Sequence, residues 1–221
     1  VNNIISQEIT NNGKLLVGNK VITNNIDNTE IVETKNLNST NKIESSGKIL
    51  SDSITTKDIS NSGNISSKAI NTQNLVNSGE IVSNDLSSNN INNLKDIYVN
   101  RNLKANNLIN SSKIESKNVE VDNLNNSGNI KVSDNLTTKD ITNSNSIQVG
   151  KNINAEIIKN SNSIQARNIT IEKSLDNSNG KLKSIDTNIN TFDIKNDNGE
   201  ILSSNNINII TANDINLSGK Y

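Results

Sequence analysis

Asn61-Ser62-Gly63-Asn64-Ile65 returns sixteen positions later as Asn77-Ser78-Gly79-Glu80-Ile81, and Asn126-Ser127-Gly128-Asn129-Ile130 is a third copy. Asn143-Ser144-Asn145-Ser146-Ile147 and Asn160-Ser161-Asn162-Ser163-Ile164 repeat the pattern without its glycine. A short fixed period marks a solenoid, in which each repeat buries its apolar face only against its neighbours. Aligned on the aliphatic residue that closes the motif, the chain yields one column: Leu15, Ile31, Ile49, Ile65, Ile81, Ile97, Ile114, Ile130, Ile147, Ile164, Leu182 and Ile201, in steps of 16 to 19 residues. Tyr221 is expected to close a last coil.

Two more columns run between these anchors. One is Val21, Leu37, Ile54, Ile70, Leu86, Leu103, Val119, Leu136, Ile153, Ile169, Ile189 and Ile207. The other is Ile26, Ile43, Ile59, Leu75, Ile91, Leu108, Leu124, Ile141, Ile158, Leu175, Ile194 and Ile215. Before the final tyrosine, Ile, Leu or Val fills every slot of a chain that is only 31% hydrophobic. Strand alternation points the residue two beyond each anchor to the same side. After the first two columns those residues are nearly all small or β-branched, as a cramped interior requires. Glu33 is the misfit, and predicts a local bulge or a solvent-filled mouth.

After the third column the same position holds Asn28, Ser45, Asn61, Asn77, Asn93, Asn110, Asn126, Asn143, Asn160, Asn177 and Asn196. Stacked in register, each of these asparagine amides can donate to one neighbour and accept from the other, forming an interior ladder. Asparagine also tolerates the left-handed backbone of a sharp corner. The glycines at 13, 47, 63, 79, 128, 180 and 199 follow the ladder and are expected to serve the same turn.

Three short extended stretches per repeat predict an all-β chain: a three-sided parallel β-helix, right-handed, of about 12 coils of 16–19 residues. Residues 1–221 read as one repeat domain cut from a longer chain. At roughly 4.8 Å per coil the stack would be on the order of 55–60 Å long. Left-handed hexapeptide helices want strict steps of six, and pentapeptide helices want four sides. Helical arrays want apolar residues three and four apart.

Composition by itself, rich in asparagine and serine, matches a disordered polymer. The spacing of the aliphatic residues and a net charge of only −1 argue otherwise. Without cysteine or histidine there is no disulfide framework, ordinary zinc site or cysteine–histidine catalysis. Near-neutral charge and three aromatic residues in all disfavour a nucleic-acid interface. No apolar run approaches the length of a transmembrane helix, so the chain is not expected to be membrane-embedded.

The phrase Leu75-Val76-Asn77-Ser78-Gly79-Glu80-Ile81, continuing to Leu86 and Ile91, resembles the haemagglutinin-type repeats of filamentous haemagglutinin-like exoproteins of two-partner secretion systems. So does Leu124-Asn125-Asn126-Ser127-Gly128-Asn129-Ile130-Lys131-Val132, and the resemblance extends over essentially the whole chain. It implies the stalk of a secreted or cell-surface bacterial adhesin or contact-dependent growth-inhibition effector. Its implied partners are an outer-membrane secretion component and a receptor on a host or neighbouring cell. An alternative is that the segment is itself adhesive, binding host protein or glycan on a side face.

An active site on such a scaffold would need clustered carboxylates beside cationic groups on neighbouring coils. Arg101 and Arg167 are the only arginines and lie coils apart, while Asp58 and Asp140, in matching Lys-Asp-Ile contexts, read as turn residues. Neither an enzyme, nor a metal site, nor a cofactor is expected. The alternating charges at Lys14, Glu30, Lys48, Glu80, Asp96 and Lys113 predict weak pairing along the stack. Asn-x-Ser/Thr acceptors occur at Asn38, Asn64, Asn110, Asn135, Asn168 and Asn216. Leu94, Tyr98, Ile109 and Phe192 are apolar residues off the columns and are candidate surface contacts.

Overall fold

The structure is a computed structural model and describes residues 1–211 and 215–216. Its regular structure is entirely β, with parallel strands stacked as a solenoid of about 12 turns. The chain packs as two compact units, the first made of residues 1–106 with 112–114 and the second of residues 107–111 with 115 onward. Tyr221 lies outside the described residues.

In the first unit the repeat Asn64–Asn77 is one continuous extended run, followed by the turn Ser78-Gly79 and then Glu80–Asn93. Its register is that of the three columns: Ile65 pairs with Ile81, Ile70 with Leu86, and Leu75 with Ile91. In the second unit Ile130 pairs with Ile147, Leu136 with Ile153, and Ile141 with Ile158. Column residues from Val21 to Ile194, Ile31 excepted, are almost completely buried, and each contributes about 1.5–3 kcal/mol of apolar burial. Among the described residues the three stripes contain no aromatic side chain.

Two column assignments differ from the sequence expectation. Leu15 pairs with Val32, and Val32 with Ile49, so Val32, fully buried, is the anchor rather than the part-exposed Ile31. The shift by one residue turns every side chain of that side over. Thr34 becomes the interior partner, and Glu33 points to solvent between Leu16 and Leu50. Glu33 thus stands outside, at the edge of an open groove, and the pairing irregularity expected near it falls on the neighbouring strand between Val17 and Lys20, with a second between Thr23 and Asn25. Near the other end, Ile169 pairs with Thr187 and Thr187 with Ile207, while Ile189 continues the partner row from Ile171. Thr187 therefore occupies the second column, 1% exposed, with its hydroxyl 2.5 Å from that of Ser184.

The corner chemistry also differs. No described glycine has positive φ, and only Asn179 (60°) and Asn198 (55°) among the other described residues do. Neither belongs to the ladder. Both precede a glycine in a turn one residue longer than Ser-Gly, and the extra residue is what forces the left-handed backbone. In the short turns glycine answers a different demand. Ser78 N–H donates to the Asn61 carbonyl at 2.8 Å and Glu80 N–H to that of Gly63 at 2.9 Å, so successive turns are themselves stacked. A Cβ on Gly63 would lie 2.0 Å from the Gly47 carbonyl oxygen, and one on Gly79 2.0 Å from that of Gly63. Only a residue without a side chain allows so close an approach.

Candidate functional site

The third-corner asparagines point inward and form hydrogen-bonded runs. In the second unit Asn110 Nδ2 donates to Asn126 Oδ1, Asn126 to Asn143, Asn143 to Asn160 and Asn160 to Asn177, each at 2.8 Å, and Asn177 to Asn196 at 2.7 Å. In the first unit Asn61 donates to Asn77 at 2.8 Å and Asn77 to Asn93 at 3.0 Å, while Asn28 donates to Ser45 Oγ at 3.1 Å. Each amide also closes its own turn and reaches the next coil: Asn126 Nδ2 lies 2.8 Å from the Gly128 carbonyl and 3.2 Å from that of Ser146. Its two protons are thus shared among three acceptors, and the buried polar group is fully engaged. The ladder has one further rung than the columns suggested: Asn11, two residues after the half-buried Ile9, donates to Asn28 Oδ1 at 2.7 Å.

Ser45 is too short to continue the run. It accepts from Asn28, but Asn61 Oδ1 on the following coil is buried without a hydrogen-bond partner.

A second set of interior polar groups went unread in the sequence, where small residues after the first two columns signalled only limited space. At the second corner Thr23, Ser39, Thr56, Thr72 and Ser88 each place one hydroxyl proton within reach of carbonyls on two successive coils. Thr72 Oγ1 lies 2.9 Å from the Lys57 carbonyl and 3.2 Å from that of Asn74; Ser88 Oγ lies 3.1 Å from Gln73 and 2.9 Å from Asn90. In the second unit Val121, Ala155 and Ile171 are buried at the equivalent position, and that corner is apolar there apart from Thr138.

The small partners at the first corner leave the outer wall concave. In the first unit a groove of about 550 Å³ runs over Thr34, Ser51, Ser67 and Ser83, with Glu33, Lys35, Asp52 and Lys68 at its edges. Lys68 and Asp52 pair across coils at 2.9 Å. In the second unit the corner holds two grooves, of about 350 Å³ and 300 Å³, lined by Lys131, Gln148, Gln165, Arg167 and Lys183 over Val132, Val149, Ala166 and Ser184.

The candidate surface residues are placed as follows. In the first unit Leu94, 49% exposed, lies in the turn before Asp96, and half-buried Tyr98 carries Lys113 Nζ 4.8 Å from its ring centroid, a cation–π contact. In the second unit Ile109 lines a shallow groove with Ile157 above the buried Leu108 and Leu124, and Phe192, 61% exposed, is not part of it.

Charge pairing along the stack lies mostly off the row that the sequence suggested. Lys181 and Glu200 pair within that row at 2.9 Å, whereas Lys139–Asp122 and Lys151–Asp134, also at 2.9 Å, and Arg101–Asp85 lie elsewhere. The hydrogen-bonded Asp122 carboxylate raises the pKa of exposed Lys139. Asp58 accepts from Asn74 at 2.7 Å. Among the described residues no group of three or more acidic side chains gathers as metal ligands. Of the glycosylation acceptors Asn110 is completely buried, whereas Asn64 is exposed.

Comparison with protein-family models, with curated proteins and with solved structures returned no match.

Proposed function

We propose that the chain is a structural stalk segment of a secreted or surface-displayed bacterial filament, holding a binding or toxin-bearing region away from the cell. The observation that carries this reading is the run of interior asparagines, each of which completes its hydrogen bonding on the adjacent coil. Such a lattice commits the interior to inter-coil cohesion. It also lets each coil serve as the template for the next, so a chain emerging from a secretion pore could fold progressively without another energy source. The likeness to filamentous haemagglutinin-type repeats supplies the biological setting: export through an outer-membrane partner, and a receptor on a host or neighbouring cell.

A surface-display experiment tests it. Placed between a membrane anchor and a distal epitope, the chain should increase capture by immobilised antibody over a Gly/Ser linker of equal residue count. Equal capture would contradict the stalk. The second reading, an adhesive segment, has in its favour the exposed Leu94 and Phe192. If it holds, Leu94→Ser with Phe192→Ser should abolish attachment of cells that display the chain alone. The stalk reading expects no change.

A further inference from the structure

The first-corner grooves of the second unit separate charge in a way that their counterpart in the first unit does not. Register aligns Lys131, Gln148, Gln165 and Lys183 in one outward row on four successive coils. Arg167 stands beside that row, two residues beyond Gln165, in the same groove. All five side chains are exposed, and no carboxylate lines either groove. Nearby Lys151 and Lys181 are neutralised by Asp134 and Glu200, but Lys131, Arg167 and Lys183 have no ion pair with any described residue. In a chain of net charge −1 that is a local excess of three cations over a concave floor. The first-unit groove instead balances Lys35 and Lys68 with Glu33 and Asp52.

We infer that these two adjoining grooves, which share Gln165, Ala166 and Ile185, form one binding site for an extended acidic peptide segment of a partner protein. Lys131 and Lys183 are three coils apart, roughly 14 Å at about 4.8 Å per coil, and an extended peptide spans about 13–14 Å over four residues. Carboxylates at positions i and i+4 on one face of such a peptide therefore meet the two lysines. Arg167 is available to the carboxylate at i+2, where its planar fork can bind two oxygens at once. The amides of Gln148 and Gln165 between them can both donate and accept, which suits a peptide backbone with its alternating N–H and C=O groups. Ala166, Gly150 and Ser184 keep the floor low enough for a backbone to settle. The site is independent of the stalk reading, since a stalk can carry it or lack it.

Fluorescence anisotropy with a labelled twelve-residue peptide of alternating glutamate and threonine tests this, with each variant checked for unchanged β circular dichroism. Saturable binding that weakens as salt rises is expected, because exposed charge pairs are screened. Lys131→Gln, Arg167→Gln and Lys183→Gln should each weaken binding about threefold and together at least tenfold. Lys35→Gln with Lys68→Gln should change it less than twofold. The inference is overturned if the triple variant binds like the parent, or if a glutamine–threonine peptide binds equally well. It is equally overturned if the acidic peptide fails to bind, including the case in which a sulfated oligosaccharide binds in its place.

Discussion

Asn61 illustrates how much depends on a single rung. Its amide is fully used, but its carbonyl oxygen faces Ser45 and is left buried and unpaired. Ser45→Asn would restore a donor there while still accepting from Asn28, and should raise unfolding stability by about 1 kcal/mol in urea titrations. Removing a rung should do the reverse. Asn126→Leu strips partners from Asn110 and Asn143 inside the core and should cost about 3 kcal/mol by the same measurement. The glycines separate equally clearly. Gly63→Ala drives a methyl group into the Gly47 carbonyl and should destabilise by about 3 kcal/mol, whereas Gly13, with open space at its Cβ, should accept alanine within about 0.5 kcal/mol. The asparagine positions were readable from spacing because one residue type recurred at one offset. The reason for the glycines was not, since a left-handed turn and a close backbone contact both select glycine and only coordinates tell them apart.

At the level of the coil, register is decided between neighbours. Ile31-Val32 offers two adjacent aliphatic residues, and a spacing rule applied along the sequence cannot choose between them. Pairing of Val32 with both Leu15 and Ile49 makes the choice, and it moves Glu33 outward. Thr187 was passed over for a related reason: a polar residue was not expected in a column, yet Ser184 satisfies its hydroxyl. The second-corner hydroxyls were hidden because Thr and Ser also pass as merely small residues. Thr72→Val, which keeps the shape and removes the donor, should cost about 1 kcal/mol in thermal or urea unfolding. The long turn after Asp176 adds a pH-dependent contribution. Partial burial works against its ionised form, but the Ser178 backbone N–H, donating to its Oδ1 at 3.0 Å, and the charges of Lys195 and Lys159 hold its carboxyl below the usual range. The depressed folded value means that this contribution is present above the ordinary carboxylate pKa of about 4 and is lost as pH falls through the folded value. Asp176→Asn should therefore reduce the acid sensitivity of unfolding below about pH 4 and leave its alkaline side unchanged.

Across the whole molecule, a composition that suits a disordered polymer becomes a solenoid because its few aliphatic residues are concentrated in three stripes and one recurring set of its asparagines lines the interior. The stripes were legible because each contact repeats at nearly constant sequence separation. The grooves were not, because they depend on side chains that flank the first corner on four or five coils at once. Side-chain amide hydrogen exchange by NMR decides whether the third-corner asparagines form an interior, inter-coil hydrogen-bonded ladder. In such a ladder the Nδ2 protons of Asn126, Asn143, Asn160 and Asn177, all nearly completely buried, should persist long after those of the exposed Asn123 and Asn154 have exchanged. Exchange of all these amides at one common rate would contradict it.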